Sequence, residues 1–392
     1  MADFQIGRNI KQASGYTAFI PEKFPPVKKI DFPKKTIAAH TEAIRLLGKL
    51  DGISQLLPDK NLFLMMFVRK DASNSSQIEG TNATMMDLIE SQNVEPGNNL
   101  PDDVDDILHY IEALDYGMKR AENFPFSLRF IRELHEKLMK NARATHFSYP
   151  GEFRNSQNWI GGTRVDNARF VPPPPHEMQK ALDDFEKFMV GDDTYLPVIK
   201  AGLLHAQFET IHPFSDGNGR TGRMLITMFL WHQKLLEMPV LCLSSYFKKF
   251  RNLYYERLNG YHNGDVLSWI DFFIDGVIST SESAIKTCAG IAKIRDRDIL
   301  KIQTLGKKPA ETAAKVITNL YKMPIVGIAD IVKWTGLTKQ GGYDTVERFV
   351  DIGILKPMKT GATVYGQKWF YADYLDLFIA DEYSSGGLSD FL

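Results

Sequence analysis

Apolar positions recur every three to four residues over most of the chain, which is the spacing of amphipathic helices. The pattern predicts helices over residues 36–57, 61–70, 103–123 and 127–141, then over 176–189, 196–211, 221–234, 246–259 and 267–293. Residues 1–35 are rich in Pro and Lys and read as an extended arm lying on the main body. One segment breaks the helical rhythm. Between Pro150 and Pro175 a β-prone Asn-Trp-Ile stretch, the Gly161-Gly162 turn and a second β-prone stretch end in four prolines, so a hairpin is expected there.

A second, smaller unit is expected after the stretch that ends at Ala310. The spacing predicts a short helix over 325–332, a turn at Thr335–Leu337, a second helix over 340–350 and two strands around Gly361. Helix, turn, helix and wing is the order of a winged helix-turn-helix. Its local charge is basic, led by Lys307, Lys308, Lys333, Lys339, Arg348, Lys356 and Lys368, which suits a phosphate backbone. The expected fold class is therefore mainly α with an inserted hairpin, plus a small α+β winged-helix unit, divided near residues 1–300 and 305–380.

Composition narrows the function classes. Of 392 residues, 44% are hydrophobic and 24% charged, which excludes a disordered chain, and a net charge of -1 leaves no whole-molecule field for nucleic acid or membrane. Two cysteines without a Cys-x-x-Cys pair suggest neither a disulfide framework nor a structural zinc site. No apolar run reaches the roughly 18 residues of a membrane span, and the first residues lack the features of a secretory signal. A cytoplasmic location and no membrane partner are the expectation.

The chemistry concentrates in residues 211–223, Ile-His-Pro-Phe-Ser-Asp-Gly-Asn-Gly-Arg-Thr-Gly-Arg. The segment lies between two helical patterns, so it is a loop that opens a helix. Glycines at 217 and 219 let the backbone approach a ligand, and the helix start offers unpaired N–H groups to an anion. Arg220 and Arg223, three apart, share a helical face and can clamp successive phosphates. Asp216 supplies a hard oxygen of the kind Mg²⁺ takes, and His212 ordinarily titrates near neutrality, as a general base requires. No Walker phosphate loop occurs.

This run resembles, position for position, the motif of Fic-domain proteins, His-x-Phe-x-Asp/Glu-Gly-Asn-Gly-Arg-x-x-Arg. The resemblance implies a helical domain that transfers AMP from ATP to a Ser, Thr or Tyr hydroxyl of a target protein, the chain itself included. It implies that His212 is the catalytic base, that Asp216 holds Mg²⁺, and that Gly217, Asn218, Gly219, Arg220, Thr221, Gly222 and Arg223 bind ATP. Phe214 would be the buried anchor of the loop. The hairpin over 154–175 resembles the family's flap, which places Ile160, Gly161, Gly162 and Thr163 at the nucleotide and target. Tyr254 resembles a tyrosine lining the nucleotide site, whereas His262 stands where relatives have Asn. His205, two helical turns before His212, is expected to be a packed helix residue.

Upstream, Ser75-Ser76-Gln77-Ile78-Glu79-Gly80 resembles the family's inhibitory motif, Ser/Thr-x-x-x-Glu-Gly/Asn. The resemblance assigns regulation to Ser75, Glu79 and Gly80, with Glu79 pairing Arg223 and excluding the γ-phosphate. It also admits removal of AMP from the modified target, with Glu79 orienting a water. The competing reading is a DNA-binding regulator whose Fic-like domain only senses nucleotide; the His212 base favours the enzyme, because a sensor needs the clamp alone. A homodimer, and DNA at the C-terminal unit, are admitted as further partners.

Overall fold

The computed structural model describes residues 4–26, 30–55, 57, 60–91, 102–140, 149–191, 194–358 and 367–379. A two-stranded antiparallel hairpin, β1 (Gly7–Lys11) and β2 (Thr17–Pro21), opens the chain. Helices α1 (Lys34–Ser54), α2 (Lys60–Ile78), α3 (Met85–Ser91), α4 (Asp102–Ala121) and α5 (Leu128–Met139) follow. Next come α6 (Pro175–Gly191), α7 (Pro197–Ile211), α8 (Asn218–His232), α9 (Leu243–Lys249), α10 (Arg251–His262) and α11 (Val266–Gln303). The last part holds α12 (Lys307–Leu320), β3 (Ile325–Val326), α13 (Ile328–Thr335), α14 (Lys339–Asp351), β4 (Lys356–Pro357), β5 (Trp369–Phe370) and α15 (Ala372–Ile379).

At the centre stands α7, buried from Val198 to Ile211 on every face, as befits a helix apolar all round. Helices α6, α8, α10 and α11 pack around it, and α1 lies along α11. Close approach is set at Gly202, where an added Cβ would meet Ile270 and Phe273 at 3.0 Å, while the buried Trp269 indole donates to the Gly202 carbonyl at 2.8 Å. Helix α2 is unusual in burying polar side chains, among them Arg69, Asp71, Asn74 and Ser75. Each finds a partner: Asp71 accepts from Tyr110 Oη at 3.1 Å and from the Ser244 backbone at 3.2 Å, and Arg69 donates to the Lys322 carbonyl at 3.1 Å. A helix held by polar contacts is held in one register, because each shift would orphan a buried group.

Several sequence expectations need correcting. The N-terminal arm is a hairpin, and it docks through a bond from the Phe19 N–H to the Val171 carbonyl at 2.9 Å. The expected hairpin at 154–175 is reduced to a single antiparallel bridge, Ile160 with Phe170, because a 3₁₀ turn at Val165–Asn167 takes the residues that would extend the ladder. The helix expected over 267–293 runs on to Gln303 as α11, whose charges pair locally instead of breaking it: Arg297 meets Asp298 at 2.7 Å and Asp373 at 2.5 Å. Ile325–Val326, expected to start a helix, is a strand that pairs with β5, and the helix begins at Ile328. The sheet order is β3-β5-β4, all antiparallel. The turn expected at Gly361 lies outside the described residues. Helix α15 returns to the helical body, where Phe378 meets Phe67 of α2 at a ring separation of 5.2 Å.

Candidate functional site

The loop between α7 and α8 is made by two left-handed residues. His212 ends α7 at φ 49°, ψ 61°, and Gly217 precedes α8 at φ 74°. Glycine takes that conformation freely, whereas histidine holds it at a cost of roughly 1–3 kcal/mol, so the surroundings must impose it. They do so by tying down the carbonyls. Arg154, 4% exposed, donates to the carbonyls of His212 at 2.9 Å, Ile211 at 3.3 Å and Pro173 at 2.6 Å. Asn158 donates to the Phe214 carbonyl at 2.9 Å. Arg154 and Asn158 thus join the root of the Ile160 bridge to the His212 loop, and burial lowers the Arg154 guanidinium to about 10.

Inside the loop Asn218 bonds the Phe214 backbone twice, accepting from its N–H at 2.9 Å and donating to its carbonyl at 2.8 Å. Phe214 is fully buried, as expected, and stacks on His135 with ring centroids 3.6 Å apart. His135 Nδ1 accepts from the Gly151 N–H at 2.9 Å, so Nε2 carries the proton and donates to the Asp216 carbonyl at 3.0 Å. That arrangement needs a neutral ring, and burial lowers the His135 imidazole to about 4.

His212 keeps its side chain 18% exposed, with Nδ1 3.6 Å from Glu209 Oε2 on the last turn of α7. That is longer than a hydrogen bond, and neither His212 Nδ1 nor Glu209 Oε1 has a hydrogen-bond partner among the described residues. Burial works to raise the Glu209 carboxyl, but His212, His205 and Arg223 outweigh it and hold it below the usual range. Glu209 is therefore an ionised, buried carboxylate directly behind the imidazole. The sequence reading missed Glu209, Arg154, Asn158 and His135; only the one-turn spacing of Glu209 to His212 was a usable signal.

The two arginines of α8 have separate surroundings. Arg220, 7% exposed, lies 3.6 Å from Asp106 and 3.9 Å from Asp216, and its Nε has no hydrogen-bond partner among the described residues. Arg223, 3% exposed, donates to Ser75 Oγ and to the Ser75 carbonyl, each at 2.9 Å, and to Glu79 Oε1 at 2.7 Å. Burial works to lower the Arg223 guanidinium, yet the Glu79 carboxylate, with Tyr254 and Glu209, more than offsets it and holds it above its ordinary value. Glu79 reaches this place because α2 ends at Ile78 and Gly80 turns the chain at φ 101°. Its carboxylate lies over the first turn of α8: a Cβ added at Gly219 would run into it.

The other expected site residues divide. Thr221 is buried and bonds back to the Gly217 carbonyl at 2.8 Å, and Gly222 faces α7, where an added Cβ would sit 2.6 Å from Glu209 Oε1. Gly222 thus sets the close approach of α8 to α7. Tyr254 is 1% exposed and its hydroxyl meets His205 Nε2 at 2.8 Å, so both side chains belong to the buried layer behind Arg223. His262 stacks on Phe170 at 3.9 Å and meets Thr210 Oγ1 at 3.0 Å. Gly161 and Gly162 adopt φ 68° and 80°, and the Thr163 N–H donates to Asn167 Oδ1 at 3.0 Å, so the bridge has an exposed, self-braced tip. Asp216 leaves its carboxylate 47% exposed, with Oδ1 accepting from the Gly217 N–H at 2.7 Å.

The chain resembles known proteins over its helical part. Residues 125–230 match the model of the Fic/DOC family, and residues 37–119 match that of the Fic/DOC family N-terminal region. A protein adenylyltransferase Fic of Aedes aegypti is 29% identical over 243 residues, which cover 59% of this chain and 45% of that protein. The chain spans less than half the length of the curated relatives it matches. Among solved structures, a Fic family protein from Desulfovibrio desulfuricans G20 covers 89% of this chain and 98% of its own at TM-score 0.57 and 16% identity. A Fic domain containing signaling protein from Bacteroides thetaiotaomicron covers 64% and 97% at TM-score 0.51 and 20% identity. The fold is shared with these proteins, and residues 37–119 and 125–230 match the N-terminal and the core models of the Fic/DOC family.

Proposed function

We propose that the protein is a protein adenylyltransferase that moves AMP from ATP to a Ser, Thr or Tyr hydroxyl of a target protein, and that it is held back by its own Glu79. The observation that carries this reading is the Glu79 carboxylate over the first turn of α8, bonded to the buried Arg223 at 2.7 Å. A turn built for an anion already holds one supplied by the chain. ATP phosphates would take the N–H groups of Asn218 and Gly219, the Nε of Arg220 that has no partner among the described residues, and Arg223 once Glu79 withdraws.

His212 would remove the hydroxyl proton at Nε2 while Nδ1 turns toward Glu209; the oxygen then attacks the α-phosphorus and pyrophosphate leaves. The donor chemistry fits Mg²⁺. Among the described residues no group of three His, Cys, Asp or Glu is placed to hold a metal, so Asp216 would provide one exposed oxygen and the phosphates and water the rest. When bound, Mg²⁺ would neutralise phosphate charge during transfer. The tip at Ile160–Thr163 would present exposed backbone to the target segment. Deadenylylation, if the same site performs it, would use Glu79 to orient water.

Residues 325–370 we read as a winged helix-turn-helix, supported by α13, the Gly336 turn at φ 73°, α14 and the sheet β3-β5-β4. Among the described residues no helix is long and apolar enough to cross a membrane. The deciding experiment is incubation with α-labelled ATP and a cell extract. Label on protein, reduced at least a hundredfold in His212→Ala, is expected; operator binding without labelling would replace this reading with that of a nucleotide-sensing regulator.

A further inference from the structure

Four consecutive carbonyls of the loop between α7 and α8 are held from one short segment. The Arg154 guanidinium donates to the Ile211 and His212 carbonyls, the Arg154 backbone N–H donates to the Pro213 carbonyl at 2.9 Å, and Asn158 donates to the Phe214 carbonyl at 2.9 Å. The last carbonyls of α7 have no partner within the helix and need donors from elsewhere. The same guanidinium reaches the Pro173 carbonyl at 2.6 Å and the Ser156 carbonyl at 3.1 Å, so it also ties both limbs of the Ile160 bridge to the loop.

The side chain is matched to that task. Among the described residues the guanidinium bonds only to neutral carbonyls, and burying a cation without a carboxylate partner is unfavourable. Lysine offers three donors around one point, whereas arginine presents five in a planar fork. The fork reaches carbonyls at 156, 173 and 211–212 together. An apolar side chain of similar length would fill the same space without desolvating a charge, but it would leave those carbonyls unaimed and unpaired.

The consequence falls on His212. Its backbone is left-handed at φ 49°, and its carbonyl accepts from Arg154 Nε at 2.9 Å and from Asn158 Nδ2 at 3.4 Å. Released from these donors, residue 212 would relax to the right-handed conformation that continues α7, and its imidazole would swing with the backbone. We propose that Arg154 and Asn158 are positioning residues for the transfer reaction. Their donors are committed to backbone, so they act through His212, holding it in the conformation that keeps its imidazole beside Glu209 and partly exposed. The effect on turnover rests on the reaction proposed above; the restraint on His212 stands on the hydrogen bonds alone.

The test uses the full chain in the Glu79→Gly background, with Arg154→Lys, which keeps the charge and loses the fork, and with Asn158→Ala at a half-buried position. Labelling from α-labelled ATP should fall in kcat, roughly 5- to 150-fold for Arg154→Lys, the population equivalent of the strain at His212, with KM for ATP within about twofold. Asn158→Ala should lose roughly 2- to 10-fold in kcat, as one neutral hydrogen bond would give. A second readout is independent of turnover: the rate at which diethyl pyrocarbonate modifies each histidine, followed by mass spectrometry. Modification should become several-fold faster at His212 and stay unchanged at His135 and His205, which are 1% and 2% exposed. In a folded Arg154→Lys protein, an unchanged kcat, a KM that rises as kcat falls, or an unmoved rate at His212 would overturn the proposal. Faster modification at all three histidines would overturn it too, by showing a general loosening of the fold. If Arg154→Lys does not fold, Asn158→Ala decides on the same criteria. No labelling by the Glu79→Gly parent, with His212 still modified faster in the variants, would count against the transfer reaction alone.

Discussion

Replacing Glu79 by glycine tests the brake most directly. The carboxylate makes a charge-assisted bond to Arg223 at 2.7 Å, and bonds of that kind contribute about 1.5–3 kcal/mol. ATP must displace it before its terminal phosphates reach Arg223. At about 1.4 kcal/mol per tenfold, removal should therefore raise the rate of ATP-dependent labelling roughly 10- to 150-fold. The fold should survive. Arg223 keeps both bonds to Ser75 at 2.9 Å, and the Glu79 side chain is 40% exposed, so water fills the vacated position and the stability loss should not exceed that same range, about 1.5–3 kcal/mol. The assay is incorporation from α-labelled ATP at fixed protein, with His212→Ala in the Glu79→Gly background as the blank and a melting curve to confirm folding. Equal labelling by the native and Glu79→Gly proteins, both folded, would refute the claim that this carboxylate restrains the site.

Three other outcomes follow from the geometry. Glu209→Gln should lower the labelling rate about tenfold with KM for ATP unchanged, since the side chain lies behind His212 at 3.6 Å; an equal change in KM would show instead a disturbed nucleotide loop. Gly222→Ala should destabilise by about 1–3 kcal/mol in denaturant titration, because the new methyl would meet Glu209 Oε1 at 2.6 Å and the Phe208 ring at 3.0 Å. Acid should weaken the fold through its buried histidines: burial lowers His135 and His205 to about 4 and His262 to about 3, below the ordinary 6.5. The unfolded chain then binds protons that the native state refuses, so stability falls as pH drops from 6.5 toward 4, by roughly 1 kcal/mol per ring at pH 5.5. His135→Phe, which keeps the stack on Phe214, should flatten part of that slope in urea titrations at pH 7 and 5.5.

The helices were legible because burial of one face imposes a period on the sequence, and α5, α7 and α14 lie within two residues of the bounds their spacing predicts. The end of α11 was placed ten residues early, at 293, because the apolar period fades where charges cluster; the pairing of Arg297 with Asp298 and Asp373 satisfies those charges on a helix. The bridge at Ile160 was overestimated for the converse reason. Its β-prone residues lack a neighbouring strand to pay for extended backbone, and Asn167 folds the tip on itself.

The sequence by itself determined the chemistry on offer: a glycine-bearing loop, an imidazole, two guanidiniums and a distant carboxylate, each within a short motif. Tertiary structure alone decided which groups meet. It brought Glu79 onto Arg223 across 144 positions of chain, put Glu209 behind His212, and buried the Thr221 and Tyr254 side chains beside them. Local spacing encodes helix faces because neighbouring residues are fixed by the backbone, whereas contacts between distant segments depend on how whole faces pack, and no short window of sequence contains that information.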